Sequence, residues 1–361
     1  MRYDLLTLSS VLAVTAVAII GGISGLIALL ICGLMVGLAG VDSAEKHGIS
    51  EVLSSRLGGL IVLIYLLVNT FYLVLFANYP MSDVEVAVLA CASCFYLVGA
   101  FEDVTARVSA KLRFLLLFVG AFLLVVSSQQ LRLSDVGITW VDWVVGFSGY
   151  SAVIFTTICI VFLTNACNTA DGANGLMGGL GFAALATLGL LIPSPLGVLQ
   201  MSTSVGCLIF LLFNIYTGRF FLGDGGAYAI GAVLGCSLVY LSNVSDVSPW
   251  FLVSLVFYPS ADLLWSIARR AVAKQSIAAP DNYHFHNLLY ERLRQTNMSA
   301  QSANNATGLM IVTIFCLFPI LLAVSGVLPL YDQGWGYVIC AMWLLYAAVW
   351  FRLSRDSSAS V

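Results

Sequence analysis

Val153 to Gly179 reads VIFTTICIVFLTNACNTADGANGLMGG, an apolar run that gives way to Asn165, Asn168, Asp171 and Asn174 with Gly close by. The apolar half has the character of a helix in lipid. Polar side chains and loose backbone are costly at membrane depth and persist where they line a cavity or reach water. This stretch therefore decides the fold class: a membrane helix that ends in a polar pocket or a water-facing loop.

Composition agrees. The 361 residues are 60% hydrophobic and 9% charged, with a mean hydropathy of +0.99. Soluble domains carry about a quarter charged residues. The apolar runs suit helices of ~20 residues rather than barrel strands, so the expected fold is all-α and polytopic, one integral membrane domain over residues 1–361. No soluble domain, low-complexity tract or repeat is evident. The net charge of −3 rests on few residues, and nothing in the charge pattern points to nucleic acid. The 9 Cys lie almost all in apolar segments. Cys91 and Cys94 form a lone CxxC, which reads as buried thiols rather than zinc or redox chemistry. The apolar N-terminus from Leu5 to about Val41 is too long for a signal-peptide core and reads as a retained span.

About eleven spans are expected, near 8–38, 58–77, 84–101, 113–128, 148–164, 176–192, 200–216, 226–242, 249–268, 306–326 and 336–352. One side then holds the loops near 42–57, 102–112, 165–175, 217–225 and 269–305 and the C-terminal tail. The other holds the N-terminus and the loops near 78–83, 129–147, 193–199, 243–248 and 327–335, which are short and chemically plain. Of the 15 basic residues, the first side takes Lys46, Arg56, Arg107, Lys111, Arg113, Arg219, Arg269, Arg270, Lys274, Arg292, Arg294, Arg352 and Arg355. The second takes only Arg2 and Arg132. By the positive-inside rule the first side is cytoplasmic, and the polar loops fall on that same face.

Each polar loop has a functional and a plain reading. In NACNTADGANGL, Asn165, Asn168 and Asp171 share a face if helical. Their oxygens suit a hard cation, amides can read a base edge, and Gly172 and Gly175 admit a ligand to the backbone; the alternative is a capped turn. In FLGDGGAY, Asp224 stands beside N–H groups opening a helix, where phosphate is favoured, or it simply caps that helix. In FEDVTARVSAKLR, Glu102 and Asp103 repel one another, with phosphate-binding Lys111 and Arg113 beyond; alone, this reads as a solvated loop. In PDNYHFHNLLYERL, His284 and His286 share a face only when extended. They fit donors to a pyrophosphate better than a zinc pair, ahead of a short amphipathic surface helix. Asp262, inside an apolar segment, reads as a helix–helix hydrogen bond.

Together, KHG…RLGG, GAFEDVTARV, NTADGANGLMGG, FLGDGGAY, SPWFLVSLVFYPSADLLWSIARR and PDNYHFHNLLY resemble the bacterial polyprenyl-phosphate N-acetylhexosamine-1-phosphate transferases of glycosyltransferase family 4, in that family's order and across nearly the whole chain. Three features depart from the family: Glu102 where Asp is usual, Asn174 for the second Asp of DGxDG, and no proline-rich stretch after Lys46-His47. The resemblance implies that UDP-GlcNAc or a related UDP-N-acetylhexosamine meets undecaprenyl phosphate in the bacterial inner membrane. The lipid phosphate attacks the sugar-linked phosphate and expels UMP. It also implies Mg2+, with Mn2+ as substitute, on Asp224 and Asn168. Glu102, Asp103, Asp171 and Asp224 become the catalytic candidates. Lys46, Lys111, with Arg113 as the alternative basic residue, Asn165, Gly172, Asn174 in the uridine pocket, His284 and His286 become the substrate-binding candidates. Membrane lipids are further partners, and a homodimer is compatible with the sequence. The rival class is a secondary transporter or flippase, which would hold its site near the midplane in broken helices.

The basic asymmetry places the N-terminus in the periplasm and the C-terminus and active site in the cytoplasm. Reporter fusions after Gly48, Leu133 and Val361 should read inside, outside and inside; an outside signal at Val361 would overturn the span count.

Overall fold

The computed structural model describes residues 41–42, 54–134, 136–276 and 281–358. The expected span near 8–38, together with Lys46 and His47, lies outside the described residues. Apart from a two-residue antiparallel ribbon, β1 (Val41–Asp42) with β2 (Ser54–Ser55), the described chain is helical. The helices are α1 (Gly59–Phe76), α2 (Asp83–Thr105), α3 (Ala110–Ser127), α4 (Thr139–Gly146), α5 (Gly149–Ala170), α6 (Leu176–Leu191), α7 (Gly197–Thr217) and α8 (Gly223–Val244). They continue as α9 (Pro249–Leu255), α10 (Phe257–Val272), α11 (Phe285–Arg294), α12 (Ala300–Val312), α13 (Phe318–Val324) and α14 (Trp335–Ser358). Eight described helical stretches are long and apolar enough to cross a membrane, with α6 a shorter apolar helix.

Every expected span from 58 onward meets a helix, with two refinements set by proline. The span expected at 249–268 is two helices, α9 and α10, parted at Val256. Pro259 has no N–H for the carbonyl of Leu255, and its ring crowds that carbonyl. Likewise α12 and α13 are joined by a π turn at Thr313–Leu317, where Pro319 cannot donate back to Phe315. The loop at 129–147 is also less plain than its composition suggested. It carries α4, which buries Val141 and Val145 and exposes Trp140 and Trp143. Aromatic side chains so placed suit a membrane–water interface.

The core centres on α8, whose residues from Gly223 to Leu241 are mostly buried. By contrast α3 buries only Leu117, Ala121, Leu124 and Val125. Lipid offers no hydrophobic drive between helices, so close backbone packing through small residues holds them together. At Gly99 of α2 a Cβ would overlap the backbone of Asp224 and Gly225. Hydroxyls inside the bundle are satisfied locally: Thr157 donates to the Val153 carbonyl and Thr164 to that of Ile160, both within α5. The start of α2 is a capping box in which Ser82 and Glu85 bond reciprocally.

Loops assigned to one side meet one another. The backbone after β2 runs parallel to that before α8, through Ser55 N–H to the Arg219 carbonyl (2.9 Å) and Phe221 N–H to the Ser55 carbonyl (2.9 Å). At the other end, Ser134 bonds Asn243 and the Ser248 N–H donates to the Leu330 carbonyl.

Substitution of Gly99 by Ala should therefore destabilise the protein by about 1–3 kcal/mol, the cost of overpacking a dense contact. Gly146→Ala, where a Cβ meets nothing within 4 Å, should change it by less than about 0.5 kcal/mol. Thermal unfolding in detergent compares the two; equal midpoints would refute the close α2–α8 contact.

Candidate active site

Asp103 is buried near the C-terminal end of α2. Its Oδ1 accepts from the N–H of Asp224 (3.0 Å) and its Oδ2 from that of Gly225 (2.9 Å). The first N–H groups of a helix have no partner within it, and Leu222, preceding α8, supplies no side-chain cap. Asp103 caps α8 from another helix, with its negative charge at the favourable end of the dipole. Asp171, just past α5, completes the set: its Oδ2 accepts from the Gly223 N–H (3.1 Å). Gly223 has φ +68°, and a Cβ there would overlap the Arg56 carbonyl and the Asp103 carboxylate, so this corner requires glycine.

Burial pushes the Asp171 carboxyl well above the usual carboxylate range; the N–H groups of Gly223 and Leu222 and the charge of Arg56 oppose this, while the charge of Asp103 adds to it. Asp224, the third carboxylate, is ion-paired with Arg113 of α3. Arg56 lies within electrostatic reach of both Asp103 and Asp171. Lys111 is exposed. Of the two basic candidates, Arg113 is therefore the one that meets the acidic cluster. Glu102 behaves unlike its neighbour, turning its Oε2 to the Val108 N–H (2.7 Å) and closing the loop between α2 and α3.

The Asn candidates divide. Asn165 and Asn168 lie in the last turns of α5, and Asn165 donates to the Val161 carbonyl (2.8 Å). Asn174 is buried and fully engaged. Its N–H donates to Asn304 (2.7 Å), its amide to Asn305 (3.0 Å), and its Oδ1 accepts from Asn214 (3.2 Å). In this structure Asn174 latches the turn onto α7 and α12.

His284 and His286 flank the start of α11, their rings parallel within 5° and 5.6 Å apart. Asp262 of α10 holds this segment. Its Oδ2 lies 2.7 Å from Nδ1 of His284, and its Oδ1 accepts from the Phe285 N–H (2.9 Å) and the Tyr346 hydroxyl (2.7 Å) of α14. Asp281 accepts from Ser266 and Arg269. Burial alone would lower the His284 imidazole, but the carboxylates of Asp262 and Asp281 outweigh it and raise its pKa. Burial, the largest influence on His286, brings that ring down to about 4. His286 contacts the site through Gly172: a Cβ at that glycine would overlap the His286 ring at its Nε2 end.

The structure thus gathers Asp103, Asp171, Asp224 and Arg113, and sets Gly172 and His286 beside them. Glu102 and Asn174 serve the scaffold around the site, and Lys111 stands apart. Arg56, Tyr258, Asp262 and Asp281 join unforeseen as parts of the site. Arg56 shows in sequence only by preceding Leu-Gly-Gly, and Asp262 only as a charge in an apolar segment. Among the described residues, no three or more His, Cys, Asp or Glu side chains converge as a metal-binding set; an ion at Asp224 would share that carboxylate with Arg113.

Glycosyl transferase family 4 matches residues 86–242. The probable undecaprenyl-phosphate N-acetylglucosaminyl 1-phosphate transferase of Bacillus subtilis is 26% identical over 266 residues, 71% of each chain. The decaprenyl-phosphate N-acetylglucosaminephosphotransferase of Mycobacterium tuberculosis is 32% identical over 110 residues, only 27% of each chain. The phospho-N-acetylmuramoyl-pentapeptide-transferase of Nautilia profundicola is 30% identical over 152 residues, 36% of this chain and 43% of its own.

The two acidic neighbours should differ in stability effect. Asp103→Asn leaves one helix N–H facing an amide NH2 and should cost about 1–3 kcal/mol, the penalty for an unsatisfied buried donor. Glu102→Gln keeps an acceptor for Val108 and should cost under about 1 kcal/mol. Thermal midpoints at equal detergent concentration test this; a larger loss for Glu102→Gln would reverse the assignment.

Proposed function

We infer from the match across residues 86–242 that the chain belongs to glycosyl transferase family 4, and we propose that it transfers an N-acetylhexosamine-1-phosphate to a polyprenyl phosphate. The observation that carries this reading is the corner that opens α8, where Asp103 and Asp171 accept its N–H groups, Asp224 pairs with Arg113, and Arg56 lies within electrostatic reach of Asp103 and Asp171. The donor is read as a UDP-N-acetylhexosamine and the acceptor as undecaprenyl phosphate, at the cytoplasmic face of a bacterial inner membrane. The three carboxylates sit at helix ends rather than within broken helices at mid-bundle, which disfavours the transporter reading.

Both substrates are anionic, so the chain must offset charge as one phosphate approaches another. A lipid phosphate monoester has a second pKa near 6 and is largely ionised at neutral pH. Its oxygen bonds to the sugar-linked phosphorus, and the bond from that phosphorus to the oxygen bridging the two phosphates breaks. That oxygen leaves on UMP. Arg113 and Arg56 would balance phosphate charge, and the partner of Arg113, Asp224, is itself a candidate ligand. Asp103 holds the α8 terminus in place. Asp171 fixes Gly223 and, through the adjoining Gly172, faces His286.

The chemistry of the two side chains suits a hard cation, Asp224 offering carboxylate oxygens and Asn168 an amide oxygen. Asp224 and Asn168 would hold Mg2+. When bound, it would supply charge neutralisation on the phosphates.

Purified protein with Mg2+, undecaprenyl phosphate and UDP-GlcNAc should release UMP, and Asp224→Asn should cut the rate by ~10²–10³. Asp103→Glu should cost ~10²-fold, since misplacement by about 1 Å has that effect, while Glu102→Asp retains substantial activity. No UMP with any UDP-N-acetylhexosamine would sink the reading, and a greater loss for Glu102→Asp would exchange the two carboxylates' roles.

A further inference from the structure

The two histidines of the HxH segment occupy different chemical settings. His284 lies between carboxylates, at 2.7 Å from Asp262 and 3.7 Å from Asp281. His286 instead has its Nδ1 3.0 Å from the hydroxyl of Tyr258, both residues buried. The opposite end of the ring, Nε2, is the part nearest Gly172.

A phenol has one proton to give and lone pairs to accept with. Among the described residues Nδ1 of His286 is the hydrogen-bond partner of the buried Tyr258 hydroxyl, and a buried O–H left without an acceptor is costly, so the hydroxyl proton goes to Nδ1. A neutral imidazole that accepts at Nδ1 must carry its proton on Nε2. We infer that Tyr258 is a positioning residue for the transfer reaction: by donating to Nδ1 of His286 it fixes the tautomer that holds an Nε2–H donor against the Gly172 turn, beside Asp171. The kinetic part of this inference rests on the function proposed above; the tautomer does not.

Neighbouring groups are consistent with a neutral ring. Tyr258 and Asp262 face it from α10, His284 and Asp281 from the segment before α11, Tyr346 of α14 reaches it through Asp262, and Asp171 adjoins Gly172. Burial brings His286 down to about 4, so it stays neutral at physiological pH. The carboxylate charge nearby is taken up by His284, whose pKa is raised. The pair thus divides into one imidazole that takes charge and one that keeps a fixed neutral donor.

The chain has only 3 His, so selective 15N-histidine labelling in detergent gives few signals. His286, identified by its loss in His286→Ala, should appear as the Nε2–H tautomer in the wild-type protein and shift toward Nδ1–H or a mixture in Tyr258→Phe. In the kinetic arm, Tyr258→Phe should lower kcat for UMP release about 10-fold, the usual scale for removing a group that orients a functional imidazole. It should have no further effect in a His286→Ala background. An Nδ1–H tautomer in the wild-type spectrum overturns the inference even if Tyr258→Phe proves unstable. Equal fold-losses in both backgrounds also overturn it, because Tyr258 would then act structurally. Absence of wild-type UMP release would count against the proposed function alone, since the spectrum decides the tautomer independently.

Discussion

The hydrogen bonds that Asp103 accepts from the first turn of α8 are the constraint on which the rest depends. An orphan helix terminus inside a membrane protein is expensive, and here it is satisfied by a carboxylate from a neighbouring helix. That demand fixes the distance between α2 and α8, and Gly99 makes the distance reachable. Fold and site therefore share one interaction. At Asp103 a loss of activity and a loss of stability are coupled; at Asp224, whose side chain meets Arg113 rather than the scaffold backbone, the two can separate.

A second anchor mirrors the first. Asp262 is buried in α10 and holds His284, the Phe285 N–H and the Tyr346 hydroxyl. It ties the HxH segment to the final long helix. Trp350 of α14 adds a bond to the Tyr283 carbonyl. The two anchored systems touch at Gly172, where only a missing side chain leaves room for the His286 ring. A chain with so few charged residues spends them where they pin irregular backbone.

Much of this was legible in the sequence. Apolar length gave the helices, the distribution of Lys and Arg sorted the loops into two groups whose members meet, and the clustering of Asp with Gly marked the α8 corner. Other features were not legible, for physical reasons. The breaks at Val256 and at the π turn follow from prolines whose effect falls four residues upstream. The resemblance implies Asn174 in a uridine pocket, and in this structure its donors and acceptors serve Asn214, Asn304 and Asn305. Composition does not distinguish an amide facing a ligand from one facing a helix. Asp262 reads from sequence as a helix–helix bond, which Tyr346 supplies, but its hold on His284 depends on a return of the chain that no local pattern announces. Arg113 over Lys111 was likewise a matter of helical phase, since two residues along α3 separate the exposed from the inward face.

The placement of the site follows from the phases its substrates occupy. On the proposed reading, a water-soluble nucleotide sugar must meet a phosphate tethered to a chain in the hydrocarbon layer. The tethered phosphate stays at headgroup depth, because moving it into the core would cost its hydration. A catalytic centre for this pair belongs at helix ends, and that is where Asp103, Asp171 and Asp224 stand, at the close of α2, just past α5 and at the opening of α8. Helix ends also offer unpaired N–H groups, and a protein that spends those on carboxylates gains a rigid acidic frame without exposing backbone to lipid. The same economy explains why no dedicated nucleophile is required: phosphoryl transfer asks chiefly for position and charge balance, and both come from the way the bundle closes its own termini.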